Sequence, residues 1–161
     1  MKTLVITQDL LNANGEYIGA DEVSQFDGHI EIAADLGVVK FSAGLRATGR
    51  IRSGAGSGIK AGEGIEAGSG IKAGEGIEAG WGIKAGWGIK AGAGIEAGEG
   101  IKAGEGIEAG WGIKAGLSIN SKTVAAGLRI FAGLYMWRIP EPQEMEIKAE
   151  LRGGTIAHGN H

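Results

Sequence analysis

Three histidines, a row of glutamates and a series of Gly-x-Gly steps are the features of this sequence that could do chemistry. His158 and His161, separated by Gly159 and Asn160, have a spacing that could hold a metal ion, and His29 stands alone near the N-terminus. A solvated tail accounts for the C-terminal pair without any ligand. Glu66, Glu78, Glu96 and Glu108 stand beside lysines, among them Lys60, Lys84, Lys90 and Lys114. Carboxylates do acid–base work where burial shifts a pKa, and carboxylates set among lysines on an open surface lack that desolvation. The chain has no cysteine. Thiol nucleophiles, thiolate zinc sites and disulfides are therefore excluded together. The Gly-x-Gly steps lack the following helix whose N-terminus would receive a phosphate. Residues 53–117 contain neither Asp nor Thr, which argues against calcium-binding turns and against flat threonine arrays that bind ice. The expectation is a protein that is not an enzyme, with no catalytic, cofactor or metal site.

Charge and termini narrow the partners. Charged residues make up 22% of the chain and the formal net charge is −3, so the basic footprint of a nucleic-acid binder is missing. The N-terminal apolar run, Leu4-Val5-Ile6, is too short for a secretion signal or a membrane span. A cytoplasmic protein with no membrane partner is expected. Glycine is the anomaly, at 33 of 161 residues against only 2 prolines. Collagen is excluded because Gly does not fall at every third position, and disorder is opposed by 43% apolar residues on a strict period.

That period dictates the architecture that must carry any site. Ile recurs at 59, 65, 71, 77, 83, 89, 95, 101, 107, 113 and 119, with Ala two residues later up to Ala115 and a charged residue between. A six-residue period walks Ile around a helix, and two Gly per hexad would cost a helix about 2 kcal/mol. In a strand, Ile and Ala of Ile-x-Ala point one way and Lys or Glu the other, and Gly-x-Gly can turn the corner. Strands this short gain stability only by stacking coil on coil. Three hexads per coil make a triangular prism of about 18 residues per rung. Charge signs favour that count: at a separation of eighteen, Lys60 meets Glu78, Glu66 meets Lys84, Lys90 meets Glu108 and Glu96 meets Lys114. A flat coil of twelve residues pairs fewer opposite charges, and a bundle of polyglycine-type helices would need breaks that the repeat lacks.

The fold class expected is thus all-β, a triangular β-solenoid with capping segments at both ends. Spacing of six at Val39, Leu45 and Ile51 precedes the perfect repeat, with two extra residues between Gly54 and Gly58, and Leu128-Arg129-Ile130 resumes it afterwards. The boundaries read as 1–29 for an N-terminal cap, 30–139 for the solenoid, and 140–161 for a C-terminal strand, cap and tail. The corner position holds Trp81, Trp87 and Trp111, too large for a core of Ile and Ala. On eighteen-residue coils they fall on three different edges. They are candidate protein contacts, or they pack flat over Gly and shield backbone. Phe131, Tyr135 and Trp137 gather before Pro140 and Pro142. They read either as cover over the last rung or as a self-association surface.

The pattern Gly-Ile-Glu-Ala-Gly over residues 39–119 resembles the right-handed, triangular six-residue repeat of bactofilins, the polymer-forming bacterial cytoskeletal proteins. Left-handed acyltransferase solenoids match less well, since the slot two positions before their aliphatic is small and here holds Glu63, Ser69, Trp81, Trp87 or Glu99. The ends, including Leu128-Arg129-Ile130-Phe131-Ala132-Gly133-Leu134, resemble small proteins encoded in bacterial prophages. The first likeness implies a right-handed coil and a structural protein that binds itself, as a homodimer or higher oligomer. The second implies an inhibitor that binds and blocks a host defence protein. A homodimer through the aromatic C-terminal end is the assembly that the sequence favours.

Overall fold

The computed structural model describes residues 1–161 and is all-β, with helix limited to two single 3-10 turns at Gln8–Leu10 and Pro142–Met145. Every strand pairing between named strands is parallel, and each repeat strand up to Ile101–Ala103 bonds to the strands three before and three after it, while the next two pair onward with the one long strand Ile119–Phe131. Three strands therefore complete a coil, and the coil has three faces. Face A stacks Leu45, Ile65, Ile83, Ile101, Ile119 and Ile147. Face B stacks Leu4, Ile30, Ile51, Ile71, Ile89, Ile107, Val124 and Leu151. Face C stacks Val39, Ile59, Ile77, Ile95, Ile113, Ile130 and Ile156. Eighteen residues separate Ile71 from its rung partner Ile89, as the charge pattern indicates.

Ile and Ala line the axis in one cluster of 35 buried residues. The corners are as well bonded as the strands. Of 104 backbone hydrogen bonds, 56 lie outside the strand ladders, and many of these link a corner to the one below. Gly86 N–H donates to Ala67 at 3.0 Å, and Trp87 N–H donates to Ser69 at 3.1 Å. This close stacking explains the first glycine of each corner. A Cβ on Gly86 would lie 2.1 Å from the carbonyl oxygen of Gly68. The second glycine is different, since a Cβ on Gly88 would lie 3.3 Å from the Gly106 oxygen. Outside the perfect repeat that second slot holds Arg50, Ser118, Thr123 and Arg129.

The ladder is longer than 30–139. Lys2–Ile6 is a rung of face B in register with Gly28–Ile32, and Ile147–His158 is a last rung that pairs on all three faces. Both lie outside the expected solenoid because the coils that carry them are irregular. Twenty-one residues separate Ile30 from Ile51, and twenty-eight separate Ile119 from Ile147. His158 is correspondingly the end of a strand and not part of a loose tail. Its carbonyl accepts from Ala132 N–H at 2.9 Å. The chain beyond it stays bound, with Ile147 N–H donating to Asn160 at 2.7 Å.

The two extra residues near Gly54 form a widened corner between faces B and C, stacked on a similar one at Ala33–Leu36. Asp35 N–H donates to Ala55 at 2.8 Å and Gly37 N–H to Gly56 at 3.0 Å. Ser57, fully buried, joins them: its hydroxyl donates to Ala33 at 2.7 Å and accepts from Leu36 N–H at 3.0 Å. Ser53, also buried, donates to the Ser57 carbonyl at 2.7 Å. No helix is long and apolar enough to cross a membrane.

Candidate functional site

The strand centres and the corners are the positions whose side chains leave the prism. The centres form the charge ladders. All four ion pairs expected at a separation of eighteen are present: Lys60–Glu78 at 3.1 Å, Lys84–Glu66 at 3.9 Å, Lys90–Glu108 at 3.2 Å and Lys114–Glu96 at 2.8 Å. They are solvent-exposed, so each is worth at most about 1 kcal/mol. Like charges also meet, at Lys72–Lys90, Glu78–Glu96, Lys84–Lys102, Arg52–Lys72 and Lys40–Lys60.

The corners carry the three tryptophans, one per edge. Trp81 stacks between Glu63 and Glu99 on the edge joining faces C and A, and Trp87 between Ser69 and Glu105 on the A–B edge. Trp111 stacks between Ala93 and Leu128 on the B–C edge. Their exposures are 55%, 68% and 65% respectively, so none is shielded by the corners beneath it. The Gly and Ile backbone between each corner column and the adjacent charge ladder forms a shallow groove along the axis.

Residues 132–146 leave the last full coil at the C–A edge and return as a strap. Gly133 N–H donates to Leu117 at 3.0 Å and Leu134 N–H to Ala115 at 3.3 Å. Gly133 adopts φ 83°, a left-handed turn that sends the chain back along the prism. The aromatic residues therefore do not cover the last rung, which Ile147–His158 occupies. Instead Leu134, Tyr135, Met136 and Trp137 lie beside Trp81, Gly80 and Glu99. Phe131 parts from them and points outward on face C, where it borders one groove with Val38 and Trp111. Of the expected contact residues, Trp81, Tyr135 and Trp137 come together, Trp111 and Phe131 share a second surface, and Trp87 stands alone with Arg50, Arg52, Lys72 and Lys90.

The strap is held at its base while its tip is bare. Arg138 donates twice to Glu144, both at 2.7 Å, and lies 5.4 Å above the Tyr135 ring. Those bonds, with one from Glu141 N–H, hold the Glu144 carboxyl down at about 2. Asn160 Nδ2 donates to Pro142 at 2.9 Å. Met136, Trp137 and Ile139 are 87%, 83% and 91% exposed.

The histidines are spent on backbone bonds. His29 Nδ1 accepts from Arg50 N–H at 2.9 Å, while Nδ1 of His158 lies 2.6 Å from the Ala132 carbonyl and Nε2 of His161 lies 2.9 Å from that of Ala149. No three His, Asp or Glu side chains converge on a point where a metal could sit. Sequence reasoning missed the strap's direction and the buried serines. The two extra residues before Ile59 were the one sign of the latter. No protein family, curated protein or solved structure matches the chain.

Proposed function

We propose that this chain is a non-enzymatic structural or interaction protein, a rigid β-solenoid that binds its own copies and offers its edges to protein partners. The observation that carries the reading is the bare apolar cluster on the C–A edge, where Trp81, Met136 and Trp137 stand more than half exposed on a base fixed by backbone bonds. Large aromatic side chains on a pre-ordered surface lose little entropy on binding and make the strongest contact centres. A core of stacked Ile supplies that rigidity.

Light scattering on the parent chain and on Trp137→Glu tests it. The parent is expected to exceed monomer mass at micromolar concentration, and the variant to fall toward the monomer with an unchanged melting temperature. A monomeric parent overturns self-association. The same edge would then be read as the contact surface of an inhibitor for a foreign protein, such as a host defence protein.

A further inference from the structure

We infer that face B of one copy packs against face C of another, side by side, with axes parallel and rungs aligned. This rests on the reading that the chain binds its own copies, and it names the surfaces. Two copies of one solenoid share one rung spacing, about 4.8 Å, so their charge ladders match at every step. The strand-centre ladder of face B runs Glu31, Arg52, Lys72, Lys90, Glu108. That of face C runs, coil for coil, Lys40, Lys60, Glu78, Glu96, Lys114. Laid together they meet as opposites everywhere except Arg52 with Lys60. One rung further, Ala125 of face B would meet Phe131 of face C.

Two of the like-charged steps gain a reason in this contact. Within one chain Lys72–Lys90 and Glu78–Glu96 each set like charges on neighbouring strands, an unfavourable arrangement. The two pairs occupy the same two coils on different faces and have opposite sign. Across the contact they form a square in which every charge gains an opposite neighbour. Lys72, which would meet Glu78, makes no ion pair within its own chain. Face B packed on itself about a twofold centred on Lys72 would set like against like at every rung. A twofold through face C alone would leave the face B cations unanswered.

The tryptophans fit the same arrangement. When face B of one prism lies on face C of a parallel neighbour, the A–B edge of the first borders the C–A edge of the second. Trp87 then borders the partner's Trp81, their positions differing along the axis by about a third of a rung, roughly 1.6 Å. The contact is heterologous, so each added copy presents a fresh face and assembly runs past the dimer.

Paired charge reversals test this. K72E/K90E makes face B repel face C, E78K/E96K does the same from the other side, and an equimolar mixture restores attraction at both faces. At low salt the parent should sediment as species larger than a dimer. Each variant alone should stay monomeric with parent-like circular dichroism, and the mixture should regain at least about threefold the mass of either. Added salt should shrink the mixed assembly as the Debye length falls below about 8 Å. If the parent associates and K72E/K90E associates equally, these faces are wrong and the edge-binding reading survives. A mixture that stays monomeric also overturns the face assignment, and a monomeric parent removes self-association and this contact with it.

Discussion

Ala substitution at the two glycines of one corner should give opposite results. Gly86 and Gly88 flank Trp87, and neither has a positive φ, so backbone strain plays no part. At Gly86 the new Cβ would lie 2.1 Å from the Gly68 carbonyl oxygen and 3.1 Å from its carbon. That is more than about 1 Å inside normal contact, and the blocking atoms are main chain, which cannot swing aside. Relief requires lifting one coil off the next, at the bond from Gly86 N–H to Ala67. Overpacking at a fixed site costs about 1–3 kcal/mol, and the upper end applies where backbone meets backbone. About 3 kcal/mol in a domain this size lowers the melting temperature by roughly 6–12 °C. At Gly88 the nearest atom is the Gly106 oxygen at 3.3 Å, which a shift of a few tenths of an ångström relieves. Restricting the unfolded chain returns about 0.4–1 kcal/mol, so Gly88→Ala should stay within about 0.5 kcal/mol of the parent. Thermal and urea unfolding of both variants measure the difference. Equal losses at the two sites would refute the claim that coil contact, and not glycine's flexibility, selects the first glycine.

Deleting residues 71–88 removes one whole coil and lets Ile89 take the place of Ile71, so a shorter and still cooperative solenoid should result by circular dichroism and melting. Deleting 71–82 turns everything beyond by one face and should give a less stable or aggregating product. The strap should loosen in acid. Glu144 ionises at about 2 instead of the usual 4.5 because Arg138 bonds its carboxylate. A depressed carboxyl contributes above its unfolded pKa and loses that contribution as pH falls through the folded one. The protection of amides 134–144 against hydrogen exchange, relative to the intrinsic rate at each pH, should therefore fall between about pH 4.5 and 2, and Arg138→Gln should show the lowered protection already at neutral pH.

Much of the fold was legible because its physics is local and periodic. Ile at every sixth residue identifies the inward side, and the signs at Lys60, Glu78, Glu96 and Lys114 count the residues per coil. The placement of Trp81, Trp87 and Trp111 on separate edges follows from that count alone. The rungs at Lys2–Ile6 and Ile147–His158 were not legible as part of the ladder, since coils of irregular length break the period before reaching them. The gathering of Trp81 with Trp137 was equally hidden. It depends on which way Gly133 turns the chain, and that is decided by Leu117 and Ala115 on an earlier coil.

The double corner at Ala33–Leu36 and Gly54–Ser57 has a consequence for how the chain finds its place. Equal hexads are interchangeable: advanced by six residues, each Ile, Ala and Gly of the repeat would meet an identical neighbour. A screw with uniform thread can start at any turn. Ser57 acts as its locating pin, because its hydroxyl fits only the Ala33 carbonyl and the Leu36 amide, and a chain wound one step out would bury that hydroxyl with no partner.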